Sequence, residues 1–248
     1  MITALNRLRR RTEGAWRERG MHVERDLAYG PDPDQRLDAW IPPSPHAAVL
    51  LLHGGGWIEG SRVDFASLAP RFAARGLLAV AVDYRLAGRH PWPAALEDVT
   101  RAIAFLAPWC DPKRVLLWGH SAGGHIALMH ARLRPAGLLG VVALGAPADL
   151  RLLRGAEVEL ADRVFRTKDL AAVSPICVAD RAEVPTLLVH GTADVVCDIS
   201  GARALAAQPG VRLLEVPGGN HGLQWPPGPC LRARAAAMRW VEEVVETR

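Results

Sequence analysis

The chain is expected to fold as an α/β domain built on an eight-stranded, mostly parallel sheet flanked by helices, and three observations carry that expectation. Short, wholly apolar runs such as residues 48–52 and 115–118 read as strands buried on both faces. From residue 48 onward such runs alternate with longer segments of helical character, the pattern of a parallel sheet covered on both sides. The 248 residues, 50% of them hydrophobic, suffice for one large core, and no repeat or low-complexity linker divides residues 1–248 into more than one domain.

Taken in order, residues 1–20 read as an N-terminal helix with Leu5, Leu8 and Trp16 on its packing side, ending at Gly20. Residues 22–29 and 35–41 read as an antiparallel hairpin, because Gly30, Pro31, Asp32, Pro33 and Asp34 cluster between them. Pro42, Pro43 and Pro45 then interrupt regular structure before strand 48–52. Helix 63–75, strand 77–82, helix 94–106, the strand from Val115, helix 126–134 and strand 139–144 follow. Residues 149–185 are predicted to be irregular and to form a small lid; strand 186–190, helix 200–208, strand 211–216 and helix 231–245 complete the chain.

The formal net charge of +4 is spread among interleaved acids, and the one basic excess, Arg7, Arg9, Arg10 and Arg11, reads as a solvated helix face. Neither a nucleic-acid partner nor a membrane is expected. With no secretory leader and no charge-free apolar run of bilayer length, the expected location is cytoplasmic. Cys110, Cys177, Cys197 and Cys230 show neither C-x-x-C pairing nor metal-ligand spacing, and His90, His125 and His130 form no ligand pattern with a carboxylate, so neither a metal nor a cofactor is expected.

The chemistry gathers at the carboxyl ends of the strands, where open sheets bind ligands. After Val115–Trp118 the chain turns through Gly119, His120, Ser121, Ala122 and Gly123 into a helix, which is G-x-S-x-G in strand-turn-helix context. A serine can be held above the sheet at so tight a turn only if its neighbours two positions away lack side chains. After strand 48–52 come His53, Gly54, Gly55, Gly56 and Trp57; consecutive glycines there suit backbone N–H groups that must approach a reacting atom. Gly55, Gly56 and Ala122 are therefore the expected oxyanion donors. Asp194 follows strand 186–190, and His221 lies on a glycine-rich loop after strand 211–216. Asp198 competes with Asp194 for the acid; Asp194 is preferred because it follows the strand end more closely, and Asp198 can cap the helix near Ser200.

These residues carry a resemblance. The chain resembles the α/β-hydrolases, and within them the esterases with an HGGGW oxyanion motif: the hormone-sensitive-lipase-like group, the small acetylxylan or feruloyl esterase-like hydrolases, and arylformamidase. Beside HGGGW at 53–57 and GHSAGG at 119–124, the similar stretches are AYG, LDAWIP, DYRL at 83–86, PAALEDV at 93–99, VSPI at 173–176 and HGTAD at 190–194. The similarity runs from about Glu24 onward. It implies an α/β-hydrolase fold with a Ser121, Asp194, His221 triad in the chain order of that fold, cleaving small carboxylic esters through an acyl-enzyme. The implied partner is a small-molecule ester or amide. Hydrolysis of an N-formyl arylamine is the alternative within enzymes, and a non-catalytic ligand receptor the alternative outside them.

Two departures bear on the substrate. Only some twenty residues precede the first strand, so a minimal cap is expected in place of the extended one of the hormone-sensitive-lipase-like enzymes. Arylformamidases often carry an aromatic residue among the oxyanion glycines, where this chain has Gly56, which leans toward a general esterase. Trp57, Trp92 and Trp225 are the candidate walls of an apolar acyl or aryl pocket. His53, His120 and His190 are expected to brace loops, and Asp83, Tyr84, Arg85 and Asp98 to fix the sheet's end by hydrogen bonds.

Overall fold

The computed structural model describes residues 20–224 and 226–248. Residues 1–19 of the predicted N-terminal helix 1–20, with Leu5, Leu8 and Trp16, lie outside them, as does Trp225. The described residues form one eight-stranded sheet from β1 (His22–Ala28), β2 (Arg36–Ile41), β3 (Ala47–Leu52), β4 (Leu77–Asp83), β5 (Val115–His120), β6 (Leu138–Leu144), β7 (Thr186–Gly191) and β8 (Val211–Val216). Their order across the sheet is β1-β2-β4-β3-β5-β6-β7-β8. β1 pairs antiparallel with β2 and β2 antiparallel with β4; every later pairing is parallel.

The central strands are largely apolar because both of their faces are covered. All six residues of β3 are buried, with Leu50 and Leu52 entering one core layer while Val49 and Leu51 enter the other. In β5, Leu117 packs on the first layer with Ile126, and Trp118 packs on the second, its ring 5.3 Å from that of Phe72. Each such aliphatic side chain contributes about 1.5–3 kcal/mol when fully buried.

The helices that close over these layers are α1 (Ala69–Ala73), α2 (Ala94–Phe105), α3 (Ala122–Leu133), α4 (Ala156–Phe165), α5 (Pro175–Val178), α6 (Ile199–Ala206) and α7 (Pro227–Thr247). Two differ from the sequence reading. Residues 63–75 are not one helix: a 3-10 turn over Arg62–Phe65, capped by Ser61, precedes the single turn of α1. Pro70, which has no N–H to give, is confined to the first turn of α1, where none is needed. Residues 149–185 are not irregular, since they contain α4 and α5. Within that stretch, residues 149–175 leave the sheet and return to their starting point. Leu150 donates its N–H to Ser174 Oγ at 2.8 Å, and Ile176 donates its N–H to the Ala148 carbonyl at 3.1 Å.

Buried polar groups tie the antiparallel edge to the parallel centre. Arg62 bridges Asp38 of β2 and Asp83 of β4, and Asp38 also accepts from Arg25 and from the Asp26 N–H. Burial raises the Asp38 pKa, but these hydrogen bonds outweigh it and hold the carboxyl below its usual range. Asp98, fully buried on α2, accepts from Gln35 Nε2 at 2.6 Å, from the Arg85 N–H at 2.7 Å and from Arg85 Nε at 2.9 Å. Removing one partner of a buried ion pair leaves the other charge uncompensated. Asp98→Ala is therefore expected to destabilise the fold by about 3–5 kcal/mol, measured as a lower denaturant midpoint at unchanged slope.

Candidate active site

At the end of β5 the chain reverses so sharply that Ser121 adopts φ 51°, ψ −119°, a conformation costing a non-glycine residue on the order of 1–3 kcal/mol. Its surroundings enforce it: the Ser121 N–H donates to the Leu144 carbonyl of β6 at 2.8 Å, and the His125 N–H to the Ser121 carbonyl at 2.9 Å. The glycines on either side are sterically required. A Cβ on Gly119 would overlap the Gly123 carbonyl, and one on Gly123 would overlap the carbonyls of Leu52 and His53. Ser121 thus stands at the uncapped N-terminus of α3, whose free N–H groups favour negative charge.

β7 and β8 bring the other two residues to it. His221 Nδ1 lies 2.8 Å from Asp194 Oδ2, and its Nε2 lies 3.0 Å from Ser121 Oγ. With a carboxylate facing Nδ1, the proton belongs on Nδ1, which leaves Nε2 to accept the hydroxyl proton. Of the two acids proposed from sequence, only Asp194 meets the imidazole; Asp198 accepts the Ser200 N–H at 2.7 Å as the cap of α6.

The Asp194 carboxylate is fully buried and faces four donors. Oδ1 accepts the N–H groups of Val196 and Cys197, each at 2.9 Å; Oδ2 accepts His221 Nδ1–H and lies 3.2 Å from His190 Nε2, whose one proton it shares with the Cys197 carbonyl. Burial raises its pKa, but these hydrogen bonds prevail and hold it far below the usual carboxylate range. The stabilisation this represents is present above the ordinary carboxylate pKa of about 3.9 and is lost only as pH falls through the lower folded value. His190 does brace its loop, donating to the Cys197 carbonyl at 2.8 Å. Its contact with Asp194 was missed from sequence, although the spacing of four residues within HGTAD was the available signal. His120 donates Nε2–H to the His221 carbonyl at 3.1 Å, fixing the loop that carries His221. Burial lowers its pKa and keeps it neutral.

The loop after β3 has left-handed backbone at Gly55, Gly56 and Trp57, and closes on itself through the N–H groups of Ile58 and Glu59, which donate to the Gly55 carbonyl. Among the described residues, no hydrogen bond uses the N–H of Gly55, Gly56 or Ala122. Trp57 anchors the loop: its indole N–H donates to His125 Nδ1 at 3.2 Å, and His125 Nε2–H donates to the Val173 carbonyl at 2.8 Å. This chain of bonds requires a neutral imidazole, and burial supplies it by lowering the His125 pKa to about 4.

A cleft of about 350 Å³ opens above Ser121 and His221, walled by Gly55, Gly56, Trp57, Leu153, Leu160 and Val196. Of the three tryptophans expected to line it, Trp57 does. Trp92 does not: its ring packs 5.5 Å from both Phe165 and His125, and its backbone N–H donates to the Val164 carbonyl, so it supports α4. A second cavity, about 560 Å³, adjoins the cleft past Arg154 and Asp198. A third, about 730 Å³, lies between α1 and α7 and reaches His120 without including Ser121 or His221. Asp32, Asp34 and His90 come together across the β1–β2 turn, which the sequence reading did not foresee for His90. Arg89 pairs with Asp34 and His90 with Asp32, and none of the three lines the cleft.

Sheet order, serine turn and the chain order of the clustered residues define the class: the chain has the α/β-hydrolase fold. The BD-FAE family model matches residues 37–139. Esterase LipC of Mycobacterium tuberculosis is 29% identical over 258 residues, covering 84% of this chain and 62% of LipC. Carboxylesterase NlhH of the same organism is 33% identical over 192 residues, covering 69% of this chain and 60% of NlhH. The chain thus spans about three-fifths of the length of these relatives. Among solved structures, a truncated carbohydrate esterase from gut microbiota superposes with a TM-score of 0.78 at 19% identity, covering 91% of this chain and 96% of that one. No helix among the described residues is long and apolar enough to cross a membrane.

Proposed function

We propose that the protein is a carboxylesterase-like serine hydrolase that cleaves small carboxylic esters through an acyl-enzyme. The observation that carries this reading is His221, placed between Asp194 and Ser121 at hydrogen-bond distance from both. In the first half-reaction Ser121 Oγ attacks the carbonyl carbon while His221 Nε2 takes its proton. The carbonyl oxygen becomes an oxyanion facing the unused N–H groups of Gly55, Gly56 and Ala122, one of which is worth roughly 2.7–4 kcal/mol in a comparable site. His221 then protonates the departing alkoxide, leaving the acyl group on Ser121. In the second half-reaction His221 takes a proton from water, the resulting hydroxide attacks the acyl carbon and displaces Ser121 Oγ, which takes that proton back from His221 Nε2 as the acid leaves. Asp194 holds Nδ1–H throughout and stabilises the imidazolium. The esterase names of LipC and NlhH support the same reading. Residues 149–185 serve as a small lid, with Leu153, Glu157 and Leu160 over the cleft. Four unpaired cysteines support a reducing, cytoplasmic setting.

The volume of the cleft supports short acyl groups. Burial stabilises an alkyl chain by about 25 cal/mol per Å², and a chain that outgrows the cleft gains nothing from its exposed end. Hydrolysis of p-nitrophenyl esters is expected to peak between acetate and butyrate and to fall steeply by octanoate; a maximum at decanoate or longer refutes the shallow cleft. Comparing kcat/KM for phenyl acetate and N-formylkynurenine tests the bond type. A preference of a hundredfold or more for the amide, about 2.7 kcal/mol at the transition state, replaces the ester reading with arylformamidase.

A further inference from the structure

The cleft above Ser121 has an uneven charge. Its charged lining side chains are two carboxylates, Glu59 and Glu157, and no described Lys or Arg lines it. Glu59 is exposed at the rim. Glu157, in the first turn of α4, is half-buried and borders both the cleft and the adjoining cavity, so it faces any substrate that reaches from one into the other. It has no counter-ion among the described residues. Arg154 gives it only a backbone N–H at 3.3 Å, while the Arg154 guanidinium is turned to the carbonyls of Arg151 and Leu153. The other carboxylates of the adjoining cavity are occupied: Asp149 is gripped by Arg151 through two hydrogen bonds, Asp198 caps α6, and Asp194 holds His221.

A half-buried carboxylate facing an apolar wall is incompletely solvated, and its field is less screened there than at an open surface. A cation brought beside it recovers the lost solvation, and an anion is repelled. We propose that Glu157 is a specificity-determining residue that selects esters bearing a cationic group a few bonds from the scissile carbonyl and rejects anionic ones. The inference rests on the ester-hydrolase reading and adds the charge class of the substrate.

Two isosteric pairs test it: acetylcholine against 3,3-dimethylbutyl acetate, with the charge on the alcohol side, and the p-nitrophenyl esters of 4-(trimethylammonio)butyrate and 5,5-dimethylhexanoate, with the charge on the acyl side. In at least one pair, wild-type kcat/KM is expected to favour the cation about tenfold at low ionic strength, equivalent to about 1.4 kcal/mol, and to approach parity at high salt. Glu157→Gln is expected to abolish the preference and Glu157→Lys to invert it. Glu159→Gln, which removes an exposed charge from the same helix, is expected to keep it. A purely structural role for Glu157 in the first turn of α4 would lower Tm without moving the ratio. Parity in both pairs for the wild type, or a preference that survives Glu157→Gln, overturns the proposal. Failure to hydrolyse even the neutral members overturns the ester-hydrolase reading itself.

Discussion

Replacing Ser121 by alanine is expected to lower kcat by about 10⁶-fold, the scale on which a lone nucleophile deletion removes the whole triad mechanism. The expectation follows from geometry. Ser121 is the hydroxyl that meets His221 Nε2, and it is held there by a strained backbone that only the surrounding strand ends sustain. A fluorophosphonate probe is expected to label the wild type at Ser121 and to leave the alanine variant unlabelled. Turnover near the wild-type rate in that variant would remove the acyl-enzyme from the mechanism altogether. Folding is checked separately by its denaturant midpoint, which is expected to stay unchanged because alanine keeps the Cβ and the same backbone conformation.

Asp194→Asn is expected to lower kcat by on the order of 10⁴-fold, and its four donors explain why. The N–H groups of Val196 and Cys197 both need an acceptor at the Oδ1 position, so the amide oxygen of asparagine is drawn there. The NH₂ group then faces His221 Nδ1 and donates to it. That shifts the imidazole proton to Nε2, where it blocks acceptance from Ser121 Oγ. The same NH₂ faces His190 Nε2–H, another donor, so the variant also loses stability. Asp198→Asn keeps an oxygen for the Ser200 N–H, and asparagine caps helices about as well as aspartate. It is expected to change kcat less than twofold and stability by well under 1 kcal/mol. The reverse ranking in kcat would transfer the role of acid to Asp198.

The strands were legible because their burial on both faces leaves wholly apolar runs, as in β3 and β5. The serine turn was legible because its glycines answer to local sterics that do not depend on distant chain. What failed depended on distant chain. Residues 63–75 have helix-forming composition, but Arg62 is drawn toward Asp38 and Asp83, and the backbone follows it into a 3-10 turn before Pro70. α4 hid among Glu157, Glu159, Asp162 and Arg163, although Val158, Ala161, Val164 and Phe165 recur at helical spacing. Missing α4 caused the misplacement of Trp92, whose packing partner Phe165 is its last residue. The meeting of His90 with Asp32 and Asp34 arises only when loops fold against each other.

The closed ends of the 149–175 excursion bear on how such a chain can diversify. Because Ser174 and Ala148 clamp the two ends side by side, this segment leaves the sheet and returns to the same place, and the strands on either side do not register what lies between. Doubling the length of a loop so anchored costs only about 0.6 kcal/mol in closure entropy. The tether from Trp57 through His125 ends on the Val173 carbonyl, just inside the return point, so the loop bearing Gly55 and Gly56 is fastened at the root of the segment. Recombination at 149 and 173 can therefore exchange Leu153, Glu157 and Leu160, the part of the cleft wall that this segment supplies, and leave Ser121, Asp194 and His221 to be inherited unaltered.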